Sequence, residues 1–130
     1  LKNKVREWIE LARIDLTAAQ KLSGDEYLTP VVSFHAHQCI EKIFKAVVES
    51  NDMSVPKVHD LIRLYEMVVN IINFSCDEEL LYDLNRIYID SRYPAMTGLT
   101  PYGRPEISDA AEYLSFSENV FNRILLILDK

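Results

Sequence analysis

The chain has 130 residues, 48% of them hydrophobic and 26% charged, which are the proportions of a globular domain with one sizeable core. Three Gly and five Pro are too few for a many-turned β architecture, and this composition also excludes disordered and collagen-like chains. Fourteen Lys+Arg against 20 Asp+Glu leave a net charge of −6, which disfavours broad, sequence-independent binding to nucleic acid.

Two cysteines, Cys39 and Cys76, form neither a disulfide framework nor a C-x-x-C motif. The longest aliphatic run, 124–128, is far short of the roughly 20 residues that span a membrane. With no segment resembling a secretory signal, these features predict a cytoplasmic protein that does not enter the membrane. The chain opens on Leu1 rather than Met, so the native N-terminus is expected to differ.

Helical periodicity dominates the chain. Val5, Trp8, Ile9, Ala12, Leu16 and Ala19 recur at steps of three and four and share one helix face. Ser23-Gly24-Asp25 ends that helix. Thr29-Pro30 then reads as an N-cap with Pro in the first helical position. Phe34, His37, Ile40, Phe44 and Val47 form a second stripe to about Ser50, and Val55-Pro56 breaks it. Leu61, Leu64, Tyr65, Val68 and Ile72 make a third. Ser75-Cys76-Asp77-Glu78 fits a capping box ahead of a fourth helix through Leu80, Leu81, Leu84, Ile87 and Tyr88. The sixteen residues 92–107 hold three prolines and two glycines and read as a long loop. Ser108 caps a last helix with Ala110, Leu114, Phe121, Ile124, Leu125 and Leu128 inward.

The prediction is an all-α, antiparallel up-and-down bundle of about five helices, forming a single domain over 1–130. In the last helix Val120 and Ile127 fall off the main stripe. That breadth implies burial on two sides, within the bundle or against a second copy.

Several polar residues occupy inward or clustered positions. Asp15 falls between Ala12 and Leu16, as a buried carboxylate needing a cationic or hydroxyl partner, or as part of a ligand cleft. His35 and His37, two apart, point to nearly opposite sides and cannot share a metal. Glu41 lies within helical reach of both His37 and Lys45. No Glu has His three residues on, so the pattern of a di-iron bundle is missing and no metal is predicted. His59-Asp60 stands at the start of the third helix, where Asp60 suits the helix dipole. Cys39 reads as core, and Cys76 is placed near a helix N-terminus, where a thiol pKa can fall.

The densest polar–aromatic cluster is Tyr88-Ile89-Asp90-Ser91-Arg92-Tyr93-Pro94. Arg92 and Pro94 suit a helix C-terminus. Arg is equally the residue for bidentate phosphate recognition, and a Tyr face stacks on bases. No nucleophile elbow, phosphate-binding loop, dinucleotide fingerprint or zinc-protease helix occurs.

Four stretches together resemble the HEPN (higher eukaryote and prokaryote nucleotide-binding) domains. These are Ala12-Arg13-Ile14-Asp15-Leu16, then Phe34 through Ala46 with its Gln38 and Glu41-Lys42-x-x-Lys45-Ala46, then His59-Asp60-Leu61, then Arg92-Tyr93-Pro94. The resemblance implies a helical bundle that pairs into a homodimer with a cleft at the interface. Many members act with a small nucleotidyltransferase as toxin–antitoxin pairs. Others are metal-independent ribonucleases whose active site is Arg, four to six residues, then His. Arg occurs here at 6, 13, 63, 86, 92, 104 and 123, and none has His five to seven positions later.

The expectation is therefore a non-catalytic module, with no cofactor, binding a nucleotide or a nucleotidyltransferase partner, RNA being less favoured. Arg92 would contact phosphate, Tyr93 would stack, and Asp90 and His59 would complete the cleft, with Asp15, Glu41 and Lys45 behind it. The alternatives are a ribonuclease toxin pairing Arg92 with His59, and a pure protein-interaction scaffold.

Overall fold

Apolar side chains recurring on one face, ended by a residue that turns the chain, produce each helix in turn. In the computed structural model the described residues are 1–92 and 104–130, the side chains of 90–92 excepted. Helix α1 spans Asn3–Leu22, and its inward stripe is buried as its spacing requires. Gly24, at φ +92°, turns the chain after it in a region that other residues rarely adopt. A 3₁₀ turn, Glu26–Leu28, leads into α2, Thr29–Ser50. Helices α3, Leu61–Val69, α4, Glu78–Arg92, and α5, Ile107–Leu128, complete five α-helices among the described residues, which contain no strand.

Cross-contacts set the directions. Lys2 pairs with Asp52 while Asp15 meets Lys42, so α1 and α2 run antiparallel. Phe34 stacks on Tyr88 while His37 reaches Asn85, so α2 and α4 also run antiparallel. Gln20 meets Glu118 and Arg13 covers the Phe121 ring, which sets α5 antiparallel to α1. The predicted up-and-down bundle is the one observed. Helix α2 is its axis, packed against the other four, and 14 of its 22 residues are buried. Phe44, Ile40, Ile43, Leu64, Leu84, Phe121 and Ile124 fill the core. Each such side chain contributes about 1.5–3 kcal/mol on burial.

The caps differ from the sequence expectation at three places. Thr29 opens α2 as its first residue rather than capping it, because its hydroxyl donates to the Pro105 carbonyl at 2.6 Å. Asp77, not Ser75, caps α4, accepting the Glu79 N–H at 2.9 Å. Helix α5 starts before Ser108, where Asp109 accepts the Glu106 N–H at 3.0 Å in a capping box. The third helix also ends early. Ile71 and Ile72 both donate to the Val68 carbonyl at 2.9 Å, closing a turn after Val69.

The breadth of the last helix is used inside the bundle at Val120, which has no exposed surface, while Ile127 is half-buried. None of the helices among the described residues is long and apolar enough to cross a membrane.

Candidate functional site

Helix α2 carries His37, Glu41 and Lys45 at successive steps of four, which places them along one face. That face looks toward α4 and the segment leading into α3, and all three residues are buried. Burial of charge is tolerated only with close partners. Glu41 Oε2 accepts from Lys45 Nζ at 3.1 Å, and the Lys45 ammonium lies 5.6 Å from the Trp8 ring centroid. Glu41 Oε1 takes His59 Nδ1 at 2.8 Å. A carboxylate only accepts, so Nδ1 carries a proton, and when the ring is neutral Nε2 is left as an acceptor. The His59 side chain is 54% exposed, whereas Glu41 behind it is 4% exposed.

Asp60 follows as the N-cap of α3, its Oδ1 accepting from Ile62 N–H at 2.9 Å and Arg63 N–H at 3.4 Å. The same oxygen accepts Asn85 Nδ2 at 2.9 Å. Asn85 Oδ1 accepts the Leu61 N–H at 3.0 Å and lies 3.2 Å from His37 Nε2. Since that oxygen has no proton, His37 donates through Nε2. Burial holds the His37 pKa below the ordinary 6.5, against the partial opposition of Gln38, Glu41 and Asn85, so the ring is neutral. Its Nδ1 is then an acceptor, which requires the Gln38 amide, whose Oε1 is placed 3.0 Å away, to be assigned the flipped orientation that presents its N–H₂ end. One asparagine thus ties α2, α3 and α4 together.

Tyr88, one turn after Leu84, inserts its ring among these groups. Its centroid lies 4.5 Å from His37, 5.1 Å from His59 and 5.8 Å from Phe34, all stacked. The ring is therefore committed to its neighbours. His59, Asp60, Asn85, Tyr88 and the exposed Ile89 line an open cleft of about 260 Å³.

Of the residues expected at the site, the structure brings His59, Glu41 and Lys45 into one hydrogen-bonded chain. Asp15 is bound elsewhere, between α1 and α2. Its Oδ1 takes His35 Nδ1 at 2.8 Å and its Oδ2 takes Lys42 Nζ at 2.5 Å. Burial would raise the Asp15 pKa, but these two bonds outweigh it and hold the carboxyl below the ordinary 3.8. His37 meets Asn85 and Gln38 rather than forming a hydrogen bond with Glu41. Tyr93 and the side chains of Asp90 and Arg92 lie outside the described residues. Cys76 departs from expectation, since burial pushes its thiol up to about 12 instead of the helix N-terminus lowering it. Asn85 and Tyr88 were absent from the expected site. The available signal was a polar residue at the inward spacing between Leu81 and Tyr88. No group of three or more metal-binding side chains occurs among the described residues.

The sequence profile of the HEPN domain matches residues 5–127. The chain belongs to the HEPN family. Two solved structures share the HEPN fold seen here. TT1696 from Thermus thermophilus is 23% identical with a TM-score of 0.70, over 95% of this chain and 97% of that one. ST0689, described as an archaeal HEPN homologue, is 24% identical with a TM-score of 0.70, over 95% and 96% of the two chains. No curated protein matches this HEPN chain. His59-Asp60, which lines the cleft, and the buried Glu41-Lys45 segment, two stretches that carry the family resemblance, meet through the Glu41–His59 contact.

Proposed function

We propose that this chain is a non-catalytic HEPN module, one unit over 1–130, which dimerises and binds a nucleotide, free or presented by a small nucleotidyltransferase protein. The observation that carries the reading is the Glu41–His59 pair. Burying a carboxylate and an ammonium costs several kcal/mol per ion before pairing offsets it. A solvent-exposed imidazole needs no such anchor for folding. Anchoring fixes its tautomer and aims its free nitrogen, which is what a ligand contact requires. Arg92, one turn after Tyr88 in sequence, is assigned the phosphate contact, Tyr93 the stacking contact, and Asp90 a place beside them. Exposed Ile14 on α1 and Ile89 on α4 support pairing with a second copy.

A thermal-shift panel of ATP, GTP, AMP, UTP and NAD at about 1 mM tests the site. A dissociation constant of about 10 μM adds roughly 2.7 kcal/mol, a rise of several degrees. The expected result is a rise with one nucleotide that His59→Ala and Arg92→Ala each abolish, the ligand-free midpoint of His59→Ala falling because Glu41 Oε1 loses its partner. Traces that all overlay the ligand-free curve overturn the nucleotide reading. Sedimentation equilibrium at twice 15.1 kDa supports the dimer, and the monomer mass overturns it.

One observation favours a second reading, metal-independent RNA cleavage by Arg92 with His59. The free Nε2 of a carboxylate-held histidine is a general base, suited to taking a proton from a ribose hydroxyl. Incubation with tRNA and mRNA at low salt decides it. Cleavage lost in both Arg92→Ala and His59→Ala supports this reading, and intact RNA sinks it.

A further inference from the structure

The atoms left over in the cleft define what it can take. His59 Nδ1 is used by Glu41, so Nε2 is the ring's remaining polar atom. Asp60 binds Ile62, Arg63 and Asn85 through Oδ1 alone, and Oδ2 has no hydrogen bond from any described residue. Asn85 Oδ1 is saturated by Leu61 N–H and His37 Nε2. The unused polar atoms on two consecutive residues are therefore both acceptors. Around them stand Tyr88 and Ile89, and no cationic side chain among the described residues lines the cleft. An anionic carboxylate repels phosphate, so this pocket is the wrong place for the charged end of a nucleotide. At about 260 Å³ it is also below the usual volume for a whole ligand.

Resting on the nucleotide reading above, we infer that this cleft is the ribose subsite: Asp60 Oδ2 and His59 Nε2 accept the protons of a vicinal diol, and the sugar ring lies against Tyr88 and Ile89. A carboxylate on ribose hydroxyls is a recurrent solution in nucleotide sites. Two acceptors fixed by Glu41 and by the α3 cap are prepositioned for two adjacent donors, so little ordering is needed on binding. Lys45 compensates the charge of Glu41, which leaves Asp60 to set the local sign.

The test compares ATP, GTP and UTP with their 2′,3′-dideoxy counterparts by titration calorimetry on the intact chain. The expected result is binding of at least one ribonucleotide, with the matching dideoxy compound at least tenfold weaker. Equal affinity for the two overturns the diol assignment and leaves the nucleotide reading standing. Failure of every ribonucleotide to bind overturns both. In Asp60→Asn, Oδ1 still caps α3 while an N–H₂ replaces the free acceptor. This variant should lose tenfold or more for the ribonucleotide and nothing for the dideoxy compound. Equal losses for both would count against the assignment. Competition by free arginine at micromolar concentration would show that the two acceptors serve a cation instead, and would likewise overturn it.

Discussion

His37, without any exposed surface, donates through Nε2 to Asn85 Oδ1 across 3.2 Å. The same oxygen holds the first amide of α3, so one side-chain amide joins three helices beneath the cleft. Removing it strands two donors at once. Asn85→Ala leaves the His37 and Leu61 N–H groups without acceptors, each at about 1–3 kcal/mol. We expect a loss of about 3 kcal/mol, or roughly 10 °C in midpoint. A loss below about 0.5 kcal/mol in denaturant unfolding would show that the network is not a structural tie.

The Glu41–Lys45 pair makes a second prediction. Glu41→Ala and Lys45→Ala each leave a buried charge unpaired, and each should cost about 3–5 kcal/mol. Replacing both by Leu and Met removes the charges together, and should return stability to within about 1 kcal/mol of the parent. The double variant still loses the anchor of His59, so nucleotide affinity should fall even where folding recovers. A cycle in which the single costs simply add would refute the pairing.

Acid should weaken the fold in two stages. The His37 pKa is held down in the folded chain, so the unfolded chain binds the extra proton first. Its contribution is complete above pH 6.5 and declines as pH falls from 6.5 toward the depressed native value. Asp15 contributes above 3.8, and its share is lost as pH falls through its own lowered native value. Urea midpoints measured from pH 7.5 to 3 should show both declines. His37→Gln should remove the upper one and Asp15→Asn the lower. An upper decline unchanged in His37→Gln would exclude His37 as its source.

The legible part of the fold was the part written in side-chain spacing. The inward positions of α1 and α2 follow directly from steps of three and four, and Gly24 and Pro30 bracket the turn between them. The caps were less legible, because Thr29, Ser75 and Ser108 all satisfy local rules that tertiary contacts then override. Thr29 is claimed by Pro105, 76 residues away. Within the site, His59 and Glu41 were each readable as polar residues at awkward positions, but their 2.8 Å contact spans two elements. Asn85 shows the limit most plainly. Its partners come from α2 and from the start of α3, and no spacing within α4 announces them.

Both thiols should be inert in the native state. Burial is the main reason that Cys39 and Cys76 are pushed up to about 12 from 9.0, with Asp77 and Glu78 adding to the effect at Cys76. At pH 8 the thiolate fraction is then about a thousandfold below that of a free thiol. Labelling by a disulfide reagent should be slow until denaturant is added, when both sites react. Raised thiol pKa values also mean that stability declines as pH rises above 9.0. Prompt labelling of Cys76 in the folded chain would contradict this.

Helix α2 supplies both the axis of the bundle and the anchors behind the cleft. Within its 22 residues, the side chains that could retune ligand preference are the same ones that keep the bundle closed. Divergence within such a lineage is therefore channelled. Substitutions at His37, Glu41 or Lys45 arrive with a folding defect and require a partner change on another helix. Ile89, on the exposed side of α4, carries no such folding constraint. New specificities should consequently appear first at that helix, with α2 changing only in compensated pairs.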